Sequence, residues 1–227
     1  MAELQLQSLK GIELAGRKGI TPIRESDDGS IGKPWFSRDG AAVIKDWYTA
    51  MAEEGRVFNI ALAVPDTTMT GDIGYVATSP GIAMVVPEGA VMIPVHFDIC
   101  FEDAAGNDNY VIIGCDEGDL GLSGGTAISA CNNLRTDNPY ASAISTKYGS
   151  TGAITATDPG ASERILFSYV NAFLDATTSP PMQVVWEPKS PPILVGPASF
   201  FAYCYGATAP VYSFSIQWVE LPRSAVV

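Results

Sequence analysis

The chain holds one histidine, His96, and four cysteines, Cys100, Cys115, Cys131 and Cys204. That inventory narrows the available chemistry at once. A transition-metal site built on several histidines lacks its ligands, and no C-x-x-C spacing offers a thiolate substitute. A Ser-His-Asp triad would have to rest on His96, and no G-x-S-x-G elbow accompanies it. His96 stands mid-strand between Val95 and Phe97, so the expected role is a packed or interface imidazole. An interface around it would make assembly pH-sensitive near neutrality.

Carboxylates gather at Glu102/Asp103/Asp108 and at Asp116/Glu117/Asp119. Oxygen ligands on a loop are what calcium prefers, yet neither group has EF-hand spacing, and short acidic loops are ordinarily just solvated. A glycosidase pair of carboxylates would need two singled out by their surroundings, and nothing selects them. The stretch from Gly118 to Thr126 is dense in glycine, but no Gly-Lys-Ser/Thr follows and no helical pattern opens after it. It reads as a flexible loop and not as a phosphate cradle. No catalytic residue, no cofactor and no metal is expected.

The elements that would carry these groups are strands. Val91 to Phe101 alternates, placing Val91, Ile93, Val95, Phe97, Ile99 and Phe101 on one face. Met92, Pro94, His96, Asp98 and Cys100 fall on the other. The turn at 104–108 predicts a hairpin with Tyr110 to Cys115 as the partner strand. Cys100 and Cys115 are the one pair that could then face each other; all four thiols are otherwise expected to be reduced, as in a cytoplasm. Further strands are predicted over 56–64, 163–174, 183–186, 192–194, 199–205 and 211–221, the last with Tyr212, Phe214, Ile216 and Trp218 on one face. Many short strands with Gly/Pro punctuation imply an all-β sandwich or barrel.

Two regions depart from that pattern. Residues 1–56 are broken by glycine and proline and read as an N-terminal arm, with one short amphipathic helix inside Asp39 to Glu54. Trp35 and Phe36 follow Pro34 in that arm, away from any local core, and are candidate anchors for docking. The second region, about 118–161, is rich in Gly, Ser, Thr, Ala and Asn and is expected to be a long contact or binding loop inside a β domain spanning 57–227.

Charge sharpens the division. Residues 1–60 hold eight Lys/Arg against nine Asp/Glu, whereas the remainder holds five against sixteen. A net charge of −12 argues against a nucleic-acid footprint. The most apolar stretch, Ile82 to Val95, is interrupted by Pro87, Glu88 and Pro94, which argues against a membrane-spanning helix. The first residues have neither a basic start nor an apolar run, so no signal peptide is expected. Only 17% of residues are charged, which fits partner subunits covering part of the surface and equally fits a large sheet protein with Ser/Thr/Asn-rich faces.

Three pieces carry a resemblance: Val86-Pro87-Glu88-Gly89 leading to Ile93-Pro94, Gly124-Gly125-Thr126 followed by Asn133-Leu134-Arg135, and Phe214 through Pro222. With the strands between them the chain resembles a phage or virus structural protein with a single jelly-roll domain. The resemblance implies a homotrimer similar in architecture to tumour necrosis factor-like trimers, serving as a capsid shell, decoration or turret component of a virion made in the host cytoplasm. It implies other capsid proteins as partners, reached through the N-terminal arm, and no nucleic acid or membrane partner. A receptor- or glycan-binding spike on the same fold, with its site in the 118–161 loop, is the alternative. Candidate interface residues are Trp35, Phe36, Met92, Pro94, His96 and Arg135.

Overall fold

In the computed structural model the described residues are 46–62, 68–103, 108–128, 132–133, 135–137, 139–172 and 182–226. The chain divides into two units, Met1–Glu54 and Gly55–Val227. Within the first, helix α1 spans Trp47–Glu54, the end of the predicted helical stretch; the earlier part of that stretch lies outside the described residues. Asp46 begins the helix, its Oδ2 accepting the Thr49 backbone N–H at 3.0 Å, which is how a short acidic side chain satisfies a free helical donor. That bond holds the Asp46 carboxyl below its ordinary range. Gly55 follows at φ 78°, the left-handed conformation that closes helices and suits glycine.

The second unit is built on eight principal strands. They are β1 (Val57–Ala61), β2 (Ile82–Val86), β3 (Ala90–Asp103), β4 (Asp108–Asp116), β5 (Arg164–Ala172), β6 (Met182–Trp186), β7 (Ala198–Gly206) and β8 (Val211–Pro222). One sheet runs β6-β3-β8-β1 and the other β5-β4-β7-β2. First pairs with last, second with seventh, third with sixth and fourth with fifth, all antiparallel. Four nested pairs shared alternately between two sheets make a jelly roll. The expected fold class is therefore the one observed.

Side-chain alternation explains how the sheets close on each other. Tyr212, Phe214, Ile216 and Trp218 of β8 are all buried, as their spacing predicts, and meet Phe97, Ile99 and Phe101 of β3 in one core. Ile82, Met84, Val111, Ile113 and Phe200 enter the same core from the facing sheet. Strand β7 is buried along nearly its whole length. Its inward residues Phe200, Ala202 and Cys204 belong to the main core, whereas Phe201 and Tyr203 point out and are covered by Leu120, Ile154 and Ala156.

Three expectations need correction. Strand β4 does not pair with β3; its partners are β5 and β7, so the chain passes from one sheet to the other between Asp103 and Asp108. Cys100 and Cys115 consequently sit on different sheets, and both are free thiols. The alternation of β3 is also interrupted. His96 lies opposite Gln217 and Pro94 opposite Trp218, so Val95 is a bulge residue, and an inserted residue reverses the facing of everything before it. Met92 is therefore 0% exposed, in the core with Phe97, and not beside His96 and Cys100.

The 118–161 excursion is more ordered than its composition predicts. Ser145–Tyr148 pairs with β2, Thr126–Ala127 pairs with that strand in turn, and Asn132–Asn133 pairs with β1. Ile154–Thr155 pairs with Ser123–Gly124. Ser142 Oγ and the Ala143 N–H donate to the Glu220 carboxylate at 2.7 and 2.8 Å, fastening the excursion to the end of β8. The excursion thus adds strands to both sheets along the β1/β2 flank and supplies the ladder partners those edges would otherwise lack.

Candidate functional site

Among the described residues the interface candidates are split between the core and the surface. Trp35 and Phe36 lie outside the described residues. Pro94 is buried opposite Trp218. Arg135 forks onto the carboxylate of Asp137, Nε to Oδ1 at 2.8 Å with NH2 on Oδ2, an exposed local pair of the kind that contributes little to stability.

His96 is half-buried, and its Nδ1–H donates to Glu187 Oε1 at 2.8 Å. A carboxylate on an imidazole nitrogen is the orienting half of a triad, but among the described residues no hydroxyl or thiol is hydrogen-bonded to the other nitrogen, and the nucleophile is missing.

Beside His96 the outer face of the first sheet carries small and polar side chains. Cys100, Asp98 and His96 lie opposite Ser213, Ser215 and Gln217 of β8. Gln183 and Val185 of β6 lie opposite Cys100 and Asp98 on the other side, with the Gln183 amide donating to Asp98 at 2.8 Å. Cys100 is half-buried, and desolvation, then Asp98 and Glu102, hold its thiol above the ordinary range. Burial raises the Cys115 thiol too and raises Cys204 much further. Thiolate is the reactive form. Timed alkylation with peptide mapping is expected to mark Cys100 slowly and at least ~100-fold faster than Cys204, which should react only on global opening. Equal rates at the two cysteines would contradict the placement of Cys204 in the core.

The two flanks of the sandwich are unlike. The excursion lines the β1/β2 flank, whereas β5 and β6 end their sheets in the strand order. On this open flank Ile165 is 50% exposed, Val170 54% and Val185 45%, with Tyr169 also exposed and its ring stacked on Phe167. Large apolar side chains on edge strands are what soluble monomers avoid.

The outer face of the second sheet holds a group that sequence reading missed. Tyr110 of β4 and Tyr205 of β7 are register partners, with rings 4.8 Å apart and 3° from parallel. Tyr75, from the β1–β2 connection, meets Tyr203 edge-on at 5.0 Å and Tyr205 at 5.7 Å. Its hydroxyl donates to both Glu163 oxygens, at 3.2 and 3.4 Å. Desolvation first, then the neighbouring Glu163 charge, push the Tyr75 hydroxyl up to about 12. Tyr203 is buried beneath and donates to the Ala77 carbonyl at 2.7 Å. The available signal was the unbroken apolar run of β7, which requires both faces of that strand to be covered.

Among the described residues, no three His, Cys, Asp or Glu side chains are grouped so that they could hold a metal ion.

No protein-family model and no curated protein matches the sequence. Among solved structures the chain is similar to VP1 of Merkel cell polyomavirus in complex with GD1a oligosaccharide, at 11% identity and a TM-score of 0.30, covering 78% of this chain and 96% of that one. It is similar to VP1 of Trichodysplasia spinulosa-associated polyomavirus in complex with 3'-sialyllactose, at 9% identity and a TM-score of 0.31, covering 74% and 96%. The unassembled KI polyomavirus VP1 pentamer gives 10% identity and a TM-score of 0.30 over 79% and 97%. The jelly-roll assignment itself rests on the strand order described above.

Proposed function

We propose that this chain is a structural virion protein, a jelly-roll capsid shell, decoration or turret component that acts by self-assembly and has no catalytic activity. The observation that carries this reading is the contrast between the flanks. The chain spends its own excursion on one sheet edge and leaves the other with exposed isoleucine, valine and tyrosine. Closed symmetric association is the common way to cover such an edge. The face around His96, Ser213 and Ser215 is a second surface suited to contact between copies. Residues 1–56, which hold eight of the thirteen cations, are the segment we assign to docking on other capsid proteins. Low overall charge supports burial in an assembly.

Size exclusion with light scattering tests this directly. The expected mass is that of a trimer, three times 24.0 kDa, persisting at high salt because apolar contacts are not screened. A monomer at micromolar concentration would overturn the self-assembly reading.

Tyr140, 40% exposed within the 118–161 excursion, favours a second reading, a receptor- or glycan-binding spike on the same fold with its site in that excursion. In that case the isolated chain gains stability on adding the saccharide and need not assemble.

A further inference from the structure

We infer that the tyrosine shelf on the outer face of the second sheet is a recognition site for a cationic side chain, an arginine guanidinium above all, presented by a partner protein. The shelf has three partly exposed rings, Tyr75, Tyr110 and Tyr205, with Tyr75 42% exposed. Their mutual contacts, edge-on at Tyr203 and parallel between Tyr110 and Tyr205, fix the rings in place before anything binds. Ring faces are electronegative and attract cations within about 6 Å of the centroid.

Charge supplies an independent reason. Glu163 takes the Tyr75 hydroxyl and stands one residue beyond the Arg164–Cys115 register pair, beside Asp116. Burial and the charges of Asp158 and Asp116 raise its carboxyl, and the charges acting on it are all negative. Asp116 is only 7% exposed, and its Oδ2 is buried with no hydrogen-bond partner while Oδ1 accepts the Gly118 N–H. Arg164, the neighbouring cation, is paired with Glu117. Glu163, which meets Tyr75 and has Asp158 and Asp116 as like-charged neighbours, is the carboxylate that a cation stacked on Tyr75 would reach.

The kind of cation follows from the geometry. A hard divalent ion demands six to eight converging oxygens, and among the described residues no such group of side chains forms. A guanidinium spreads its charge over a plane that stacks on tyrosine and presents paired donors to a carboxylate, which an ammonium cannot do equally well. An acidic ligand, whether sialylated or phosphorylated, would add to the like charges already present. A neutral sugar would leave them uncompensated.

The test uses the full chain and three probes followed by amide NMR shifts: a Gly-Arg-Gly peptide, the same peptide with citrulline, whose ureido group has the guanidinium shape without its charge, and lactose. We expect the arginine peptide to bind with a millimolar dissociation constant and to shift amides of Tyr75, Tyr110 and Glu163, with citrulline at least ~10-fold weaker. Glu163→Gln should weaken the arginine peptide by a similar ~10-fold, and Tyr75→Phe, which keeps the ring, by less than Tyr75→Ala. Equal binding of arginine and citrulline peptides would overturn the proposal, as would lactose shifting these amides while arginine does not. The citrulline comparison needs no substitution, so it stands even if a variant fails to fold. The outcome is independent of the mass measured by light scattering, so the two readings can fail separately.

Discussion

Replacing Phe200 by alanine is expected to lower the unfolding free energy of the β domain by about 3–5 kcal/mol. Phe200 is fully buried on β7, and its ring meets Phe97 edge-on at 6.3 Å and Trp186 at 6.2 Å, both from the opposite sheet. It stands where the sheets face each other, and each sheet is held by ladders on both sides of the contact strand. Neither can settle into the void, which puts the cost at the high end for an aromatic truncation. Against a typical total of about 5–15 kcal/mol, a loss of that size removes much of the margin. Urea midpoints with an unchanged m-value would measure it. Ile165→Ala, at a half-exposed position on the open flank, should change the same midpoint by no more than about 0.5 kcal/mol. Similar losses at both positions would mean that the core is not organised around the contact between β7 and β3.

The second large effect concerns assembly and should leave folding alone. Ile165→Lys combined with Val170→Lys is expected to raise the dissociation constant of the oligomer at least ~100-fold, giving a monomer by light scattering with the melting temperature of its β domain unchanged. Both side chains are about half exposed, so the fold does not depend on them. Lysine on an edge strand is also a natural defence against unwanted pairing, since docking would desolvate its charge. If the double variant retains the mass of the unmodified chain, the open flank is not the contact surface. The face around His96, Asp98 and Ser215 would then be the surface to alter.

What the sequence made legible follows from period-two patterns. The β8 face with Tyr212, Phe214, Ile216 and Trp218 is as the alternation requires, and the predicted strands of the β domain correspond to observed ones within a few residues. Alternation reports which face of a strand is wet, but not which strand lies beside it. For that reason the turn predicted at 104–108 reads as a hairpin, although the chain passes between sheets from Asp103 to Asp108. The bulge at Val95 has no glycine or proline of its own to announce it, and Pro94 before it reads equally well as an interruption or an edge. The excursion looked like loop because its strands are short and pair largely through backbone, leaving little hydrophobic pattern in Asn132–Asn133 or Thr126–Ala127. The tyrosine shelf is assembled from a connection and two strands far apart in sequence. No local spacing relates Tyr75 to Glu163.

The nested strand order has a further meaning for how the molecule is made. Strand β8 stands between β3 and β1, and β7 stands between β4 and β2. Both sheets therefore take an interior strand from Ala198–Pro222, among the last of the domain to leave the ribosome. Until then β1 lacks β8 and β2 lacks β7, and the apolar faces of six strands wait on a nascent chain. Closure of both sheets must wait for those strands, through contacts of high sequence separation that form slowly. A copy released before Ala198–Pro222 is made would have no middle to either sheet, only edges, and would be a substrate for chaperones or proteases and not a smaller version of the protein.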